Sequence, residues 1–220
     1  SGSPGCPPGF RRTDDAYRAK GWFTETGLDI ASMGIQVHGG VGFIEETGAA
    51  QYFRDARITT IYEGTTGIQA MDLVGRKIGR DGGRAIGAVI VRMRQVQVDL
   101  ESHARAGLHV IGAQLKKGIG DLEAAVESLV KSCEGGPKPA LAGSGPLLEL
   151  LGIVAAGWQM GRAALAADRL LASDPGSDFL SSKILTCRFY ADHILSKSAG
   201  LRHAIVSGSD AILDFSEAAF

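Results

Sequence analysis

The sequence predicts an all-α protein built from two successive bundles of antiparallel helices. Apolar residues recur at helical spacings along most of the 220 residues, and clusters of glycine and proline separate these stretches. No stretch alternates apolar and polar residues over the length of a convincing strand, and no repeat of fixed period is visible. We therefore expect helices that pack antiparallel through short connections.

The composition excludes several classes of function. The 23 lysines and arginines nearly balance the 24 aspartates and glutamates, so a net charge of -1 gives no electrostatic reason to expect nucleic-acid or anionic-membrane binding. No apolar run approaches the roughly 20 residues of a membrane span, and no secretory signal opens the sequence. Cys6, Cys133 and Cys187 are far apart and odd in number, which predicts no disulfide framework, no metal site and a reducing, cytoplasmic compartment.

The first half of the sequence predicts two helices joined by short irregular segments. Apolar residues between Ala16 and Val37 predict a buried helix that ends at Gly39-Gly40, because glycine takes the left-handed conformation of a helix exit. The segments that follow are an extended piece at Phe43 to Glu46, a helix from Thr47 to Arg57 and a short link from Ile58 to Glu63.

The second half predicts a longer series of helices. Gly64-Thr65-Thr66 looks like a helix start, since a threonine hydroxyl can cap the first backbone N–H groups, and this helix reaches Ile78. Further helices are predicted at Arg84 to Arg105, Ile119 to Cys133, Pro146 to Ala172 and Asp178 to Ser198, with a break at Asp81-Gly82-Gly83, a linker at Glu134 to Pro146 and a turn at Asp174-Pro175-Gly176. Gly157 and Gly161 fall inside a helical pattern, which indicates close helix packing.

Three short motifs lie close together between Gly34 and Ile78. They are Gln36-Val37-His38-Gly39-Gly40, Arg54-Asp55-Ala56-Arg57 and Ile61-Tyr62-Glu63-Gly64-Thr65, followed by Ile68-Gln69. The ordered set resembles the acyl-CoA dehydrogenase family, which carries the same pieces in the same order and at similar spacing. The resemblance implies FAD as the cofactor and an acyl-CoA of fatty acid metabolism as the substrate. It also implies a 2-enoyl-CoA product, an electron-transfer flavoprotein or similar acceptor as partner, and a homo-oligomer.

Glu63 is the candidate catalytic base. Removing a proton α to a thioester carbonyl needs a carboxylate held beside that carbon. Ile61 and Tyr62 flank Glu63 and would desolvate it, which raises a carboxyl pKa, whereas the helix start that follows favours the charged form. The sequence leaves the balance of these two effects open. Gly64 removes a side chain where the substrate must approach, and the resemblance places a substrate contact there.

Two segments are candidates for flavin binding. Backbone N–H groups of a glycine-rich turn or a helix N-terminus can bind the pyrophosphate of a dinucleotide. By resemblance, Gln36, Val37, His38, Gly39 and Gly40 line a flavin site contributed across a subunit interface, and Thr65, Thr66 and Gly67 contact the flavin near the helix start. Family members often carry Glu or Gln at the position of Gly67, which here offers only its backbone.

Each candidate also has a structural interpretation. A glutamate before a helix is usually a solvated capping residue, a lone histidine is usually structural, and Gly39-Gly40 alone is typical of a helix stop. The ordered set favours function for Glu63 and for the 36–40 turn, while Asp55 and Arg57 are assigned a structural role. The alternative function is a non-catalytic helical assembly or dimerisation module that kept the motif by descent.

The sequence is predicted to divide into three segments. Residues 1–17 are a disordered lead-in without family resemblance, residues 18–83 are part of the acyl-CoA dehydrogenase C-terminal catalytic domain, and residues 84–220 are an appended helical domain. The last segment resembles the extra domain of a larger bacterial subgroup, the 3-methylmercaptopropionyl-CoA dehydrogenase-like proteins, most clearly at Arg188 to His193. The N-terminal helical domain and middle β-domain of the family have no counterpart here, so we expect the C-terminal part of a longer enzyme.

Overall fold

The computed structural model describes residues 12–216 and 218, with side chains from Lys20 onward. Within these residues the chain is helical throughout and has no β-strand, which confirms the all-α prediction. Of the predicted lead-in, residues 1–11 lie outside the described residues, as does Cys6, and residues 12–17 form the beginning of the first helix.

Twelve α-helical segments follow one another along the described range. They are α1 (Arg12–His38), α2 (Gly40–Phe43), α3 (Ala49–Arg57), α4 (Thr66–Met71), α5 (Gly79–Asp81), α6 (Arg84–Glu101), α7 (Ala106–Glu134), α8 (Pro137–Ala142), α9 (Ser144–Leu171), α10 (Asp178–His193), α11 (Ser198–Ser207) and α12 (Ser209–Leu213). Short 3-10 turns lie at Glu45–Thr47, Ile58–Thr60 and Leu195–Lys197, and a π-helical stretch at Asp72–Ile78 joins α4 to α5.

Local sequence explains several helix ends. Gly39 leaves α1 with a φ of 64°, and Gly82 and Gly83 separate α5 from α6 with φ values of 63° and 81°. An L-residue adopts these angles only at a cost, so glycine is needed there. The hydroxyls of Thr65 and Ser177 accept hydrogen bonds from the backbone two or three residues into α4 and α10, as N-cap side chains do.

Several predicted boundaries are wrong. The piece from Phe43 to Glu46, predicted to be extended, contains the end of α2 and the start of a 3-10 turn. Within it, Ile44 alone is extended. The helix predicted from Ile119 already begins at Ala106, while α6 ends at Glu101, short of the predicted Arg105. The predicted Glu134 to Pro146 linker contains α8, because Pro137 occupies a first-turn position where no backbone N–H is required. The last predicted helix is interrupted after His193.

The second bundle consists of α6, α7, α9, α10 and α11. Two contacts show the relative direction of α6 and α7. Arg94 of α6 pairs with Glu123 of α7, whereas Glu101, at the end of α6, abuts Gly112, which comes earlier in α7. The α6 and α7 helices are therefore antiparallel. The α9 and α10 helices are antiparallel as well, because the Tyr190 hydroxyl donates to the Ile153 carbonyl while Cys187, earlier in α10, contacts Met160, later in α9. This confirms antiparallel packing through short connections.

The core of the second bundle is fully enclosed. Its largest fully buried side chains are Met93, Leu100, Leu108, Ile111, Leu115, Ile119, Leu122, Leu129, Leu147, Leu150, Leu195 and Ile205. A Cβ at Gly157 would lie 3.1 Å from Leu195, and one at Gly161 would lie 2.9 Å from Leu100. These two glycines allow neighbouring helices to approach α9 closely, as predicted.

The α9 helix is the central helix of this bundle. By length and composition it could cross a membrane, but half of its most apolar window is buried inside the protein, a property that core helices of soluble proteins share. It packs against α6, α7, α10 and α11 on one side and against α1 and α4 on another. The indole of Trp22 in α1 rests on Gly152 of α9, where any Cβ would overlap it. This contact joins the first part of the chain to the second bundle.

Candidate functional site

The turn between the 3-10 helix at Ile58–Thr60 and α4 has an unusual backbone. Glu63 has a φ of 56° and is the single non-glycine residue with positive φ among the residues described. Gly64 follows with a φ of 92°. A left-handed conformation outside glycine costs on the order of 1–3 kcal/mol and persists only where the surroundings enforce it. Such outliers concentrate at functional sites, so Glu63 is singled out by its backbone as well as by its motif.

Side chains hold all three carbonyl groups of this turn. The Lys20 ammonium in α1 donates to the Tyr62 carbonyl at 2.5 Å and to the Gly64 carbonyl at 2.7 Å. The side-chain amide of Gln69 in α4 donates to the Glu63 carbonyl at 2.9 Å, and Gln69 is itself buried. The backbone at Glu63 is therefore fixed by α1, which precedes it in the sequence, and by α4, which follows it.

The carboxylate of Glu63 points to the surface. The sequence predicts that Ile61 and Tyr62 desolvate it, but these side chains are 47% and 49% exposed and Glu63 is exposed as well. The prediction is wrong for this chain, because the turn directs both apolar neighbours outward instead of over the carboxylate. The Glu63 carboxylate makes no hydrogen bond or ion pair within the part of the chain that the structure describes.

The start of α4 presents the second group of candidate residues. The Thr65 hydroxyl accepts a hydrogen bond from the Ile68 N–H at 3.4 Å, which caps the helix as predicted. The Thr66 hydroxyl donates to Glu25 of α1 at 2.5 Å. A Cβ added at Gly67 would have no atom within 4 Å, so the backbone there faces open space. The first N–H groups of a helix lack intrahelical partners, and these fit a cofactor that accepts hydrogen bonds.

A cleft beside Thr66 carries negative charge. It has a volume of about 240 Å³ and runs between α1, the start of α4 and the start of α9. Glu25, Asp29 and Glu149 line it. Carboxylates repel an anion, so this side of Thr66 disfavours a pyrophosphate.

The turn at Gln36 to Gly40 is exposed along its whole length. Val37 is 81% exposed, and Gln36, His38, Gly39 and Gly40 also lie at the surface. The His38 Nδ1 lies 2.8 Å from the Gly34 carbonyl, and the Gly39 N–H donates to the Gln36 carbonyl at 3.0 Å. These bonds satisfy the end of α1 and leave the outer face of the turn uncovered.

One chain does not bring the two candidate groups together. Lys20, which contacts the Glu63 turn, lies near the start of α1, whereas Gln36 to Gly40 lie at its end. At about 1.5 Å per residue, the 17 residues from Lys20 to Val37 separate the two groups by roughly 25 Å along the helix axis.

The motif at Arg54 to Arg57 lies on the surface of α3. Arg54 is 3.4 Å from Glu45 across the corner between α2 and α3, and Asp55 and Arg57 are exposed. An exposed pair of this kind contributes little to stability. It neither touches the Glu63 turn nor forms part of the candidate flavin contacts.

Sequence reasoning missed two residues of the site. Gln69 was visible as part of the Ile68-Gln69 motif, but its backbone target was not. Lys20 carries no signal of its own, because its partners lie 42 and 44 residues away and only the fold brings them together.

The cysteines form no cluster in the described structure. Cys133 and Cys187 are free thiols, and burial raises the pKa of the Cys187 thiol. Within residues 12–216 and 218, no three histidine, cysteine, aspartate or glutamate side chains are grouped so that they could hold a metal ion.

Comparison with known families divides the chain into two matched ranges. Residues 5–78 match the model described as "Acyl-CoA dehydrogenase, C-terminal domain", and residues 92–216 match "Acetyl-CoA dehydrogenase C-terminal like". The first range contains both candidate groups, and the second covers most of the second bundle. The first match begins inside the segment 1–17, which the sequence-based division sets apart.

Curated relatives cover most of the chain. It is 42% identical over 194 residues to the 3-methylmercaptopropionyl-CoA dehydrogenase of Ruegeria pomeroyi, which is 88% of this chain and 33% of that protein. It is 32% identical over 211 residues to the broad-specificity linear acyl-CoA dehydrogenase FadE5 of Mycobacterium tuberculosis, covering 91% of this chain and 34% of that protein. The chain thus spans about a third of the length of these relatives. It belongs to the acyl-CoA dehydrogenase family and corresponds to the C-terminal, helical part of these enzymes.

Proposed function

We propose that this chain supplies the general base and part of the flavin site of an FAD-dependent acyl-CoA dehydrogenase. The observation that carries the proposal is the Glu63 turn. Within the described residues the Glu63 carboxylate has no partner, while two other side chains hold its backbone in a left-handed conformation. That conformation is costly for a residue that only caps a helix. Family membership gives this carboxylate an acyl-CoA thioester as its substrate.

The proposed chemistry is the removal of two hydrogens from adjacent carbons. The Glu63 carboxylate takes the proton from the α-carbon of the acyl-CoA, and the carbon–carbon double bond of a 2-enoyl-CoA forms. FAD, when bound, accepts the hydride from the β-carbon. Gly64, the residue after this carboxylate, is proposed as a substrate contact.

The flavin contacts are proposed to come from two subunits. The backbone at Gly67 faces open space and Thr65 is exposed, while Thr66 between them is half-buried, and this supports Thr65, Thr66 and Gly67 as contacts of the flavin that Glu63 serves. The turn at Gln36 to Gly40 lies roughly 25 Å away along α1, too far to join that site in the same chain. Its exposed face fits the flavin of a neighbouring subunit, which is why we propose a homo-oligomer.

The electron acceptor is proposed from a more distant relative. The chain is 40% identical over 63 residues to a protein of Acetobacterium woodii named as a caffeyl-CoA reductase-Etf complex subunit, which is 29% of this chain and 17% of that protein. This supports an electron-transfer flavoprotein, or a similar acceptor, as the partner. The free thiols at Cys133 and Cys187 fit the reducing cytoplasm as the site of the reaction.

Glu63→Gln in the flavin-loaded enzyme that includes this chain tests the base. Glutamine is nearly isosteric and keeps the turn, so flavin content and acyl-CoA binding should be unchanged. Loss of a positioned general base should slow flavin reduction by at least about 10²-fold in stopped-flow absorbance.

Glu134→Gln is the matched control, because Glu134 is also exposed and lies at the far end of α7. Its flavin reduction should equal that of the parent enzyme. If Glu63→Gln bleaches the flavin as fast as this control, Glu63 is not the base, and the non-catalytic assembly module becomes the better interpretation of the motif in this chain.

A further inference from the structure

The turn that carries Glu63 is held by an unusually complete set of side-chain bonds. Each of its three consecutive carbonyl oxygens, at Tyr62, Glu63 and Gly64, accepts a hydrogen bond from a side chain of Lys20 or Gln69. The Lys20 ammonium also lies 5.3 Å from the centre of the Tyr62 ring. A turn that only linked two helices would leave these carbonyls to solvent.

The two holding residues act from different parts of the fold. Gln69 lies in α4, six residues after Glu63, so its bond closes the turn onto the helix that follows. Lys20 lies in α1, and its bonds tie the turn to a separate helix. Lys20 lies outside the ordered motifs, whereas Gln69 belongs to the Ile68-Gln69 piece, and within the described residues neither side chain bonds to the Glu63 carboxylate.

The geometry explains why both residues are needed. A left-handed Glu63 relaxes toward an ordinary backbone conformation unless its neighbours prevent it. Such a relaxation would rotate the peptide planes on either side of Glu63 and swing its side chain away from its present direction. The bond from Lys20 to the Tyr62 carbonyl holds the peptide plane before Glu63, and the bond from Gln69 to the Glu63 carbonyl holds the plane after it. The second bond from Lys20, to the Gly64 carbonyl, holds the next plane along the chain.

Gly64 adds a steric constraint to the same arrangement. A Cβ at Gly64 would lie 3.0 Å from the Gln69 side-chain nitrogen and 3.4 Å from Ile68. The absence of a side chain there lets the Gln69 amide reach the Glu63 carbonyl. The space that Gly64 leaves therefore lies on the inner side of the turn, beside Gln69 and Ile68.

We infer that Lys20 and Gln69 are positioning residues that hold the Glu63 turn in its reactive conformation and thereby aim the catalytic carboxylate. This inference rests on the proposed role of Glu63 as the base. It assigns Lys20 and Gln69 an effect on the rate of proton removal with no direct contact to substrate or flavin. Displacing a catalytic group by about 1 Å can lower a rate by as much as roughly 10²-fold.

The test uses Lys20→Met in the flavin-loaded enzyme, with Lys117→Met as the matched control on an exposed stretch of α7. Lys20→Met should slow flavin reduction at saturating acyl-CoA by about 10- to 100-fold, with the KM and flavin content unchanged. Lys20→Arg, which keeps a charged donor, should recover most of the rate. Lys117→Met should leave the rate unchanged.

Combining Lys20→Met with Glu63→Gln separates a positioning role from a structural one. If Lys20 acts through the Glu63 carboxylate, its loss should have no further effect in the Gln variant, which lacks that carboxylate. The double variant should then reduce flavin at the same rate as Glu63→Gln alone. The inference would be overturned if adding Lys20→Met to Glu63→Gln slowed flavin reduction by the same factor as Lys20→Met does alone, because Lys20 would then act independently of Glu63. Where Lys20→Met does not yield flavin-loaded protein, Gln69→Met provides the same comparison from α4.

The outcomes also distinguish this inference from the function on which it rests. If flavin reduction is slow in Glu63→Gln but as fast as in the parent enzyme in Lys20→Met and Gln69→Met, Glu63 remains the base and the positioning role is refuted. Fast Glu63→Gln would refute both, since no carboxylate would remain to be aimed.

Discussion

Residues 20–65 and residues 84–207 are both helical, but they distribute apolar side chains in opposite ways. All side chains between residues 20 and 65 are described, and among them Leu28 and Ala50 are the buried apolar ones. The large apolar side chains exposed in the same range are Phe23, Ile30, Met33, Val37, Val41, Phe43, Ile44, Tyr52, Ile58, Ile61 and Tyr62. The second range encloses most of the core of the molecule.

The difference shows which part of the chain is stable by itself. The second bundle buries its apolar side chains among its own helices, so its stability is internal to this chain. The helices around the candidate site leave an apolar face that soluble proteins reserve for interfaces. Trp22 on Gly152 and Leu148 on Gly21 are two apolar contacts through which α1 packs against the second bundle. The candidate site thus lies in the part of the chain that leaves its apolar side chains exposed.

The largest expected change in the free energy of unfolding comes from replacing a large apolar residue with alanine in each of the two regions. Leu115→Ala empties a fully buried position in α7 and should lower the free energy of unfolding by about 2–5 kcal/mol. Ile30→Ala removes a side chain that is 63% exposed in α1 and should change it by no more than about 0.5 kcal/mol. Urea denaturation followed by circular dichroism measures both. Equal losses of unfolding free energy would mean that the apolar face of α1 is covered in solution. The two regions would then not differ in how they bury apolar side chains.

A smaller effect is expected where the two regions meet. Gly152→Ala places a methyl group against the Trp22 indole, and overpacking of this kind costs about 1–3 kcal/mol. Trp22 should become more exposed, so its emission should shift to longer wavelength in a Trp158→Phe background. Gly120→Ala is the control, because its Cβ meets no atom within 4 Å and the change should stabilise the helix by about 0.4–1 kcal/mol. An unshifted Trp22 emission in Gly152→Ala would show that this contact does not hold α1.

The smallest effect concerns one hydroxyl inside the second bundle. Tyr190→Phe removes the bond to the Ile153 carbonyl and should cost about 1 kcal/mol at neutral pH. Burial raises the pKa of the Tyr190 hydroxyl well above its usual value of 10.0.

Above pH 10.0 the unfolded chain loses that proton while the folded chain keeps it, so stability should fall as pH rises. Below that pH both states are protonated and this contribution to stability is fully present. The Phe variant should lose this extra pH dependence, and Tyr52→Phe, in the exposed α3, should retain it. Thermal melts between neutral pH and pH 11 compare the three proteins, and parallel curves would show that Tyr190 is not protected by the bundle.

Local signals in the sequence predicted what local physics determines. The cap at Thr65, the exit at Gly39 and the break at Gly82-Gly83 depend on one or two residues and their own backbone angles. The close approach at Gly157 and Gly161 was predictable because glycine inside a helix has a cost that packing must offset. The ordered motifs likewise located the candidate turn.

Tertiary contacts decided the rest. Residues 106–118 were not predicted as part of α7, because their glycines lower helix propensity, yet Gly112 and Gly118 are where Glu101 and Leu195 approach the helix. The exposure of Glu63 and the bonds from Lys20 depend on how α1 and the turn meet, and no local pattern contains that information. The missed start of α7 therefore lies where neighbouring side chains pack against glycines that lower helix propensity.

The left-handed backbone at Glu63 also affects how this chain responds to mutation and selection. Glycine, and to a lesser degree asparagine, adopts that conformation at a lower cost than glutamate, so replacing the proposed base would relieve strain and make the turn more stable. A screen for heat resistance or expression level would favour sequences that have lost the carboxylate, and a screen for turnover would favour those that keep it. A thermostable variant of this chain should therefore be checked at position 63 before it is taken to be an improved enzyme.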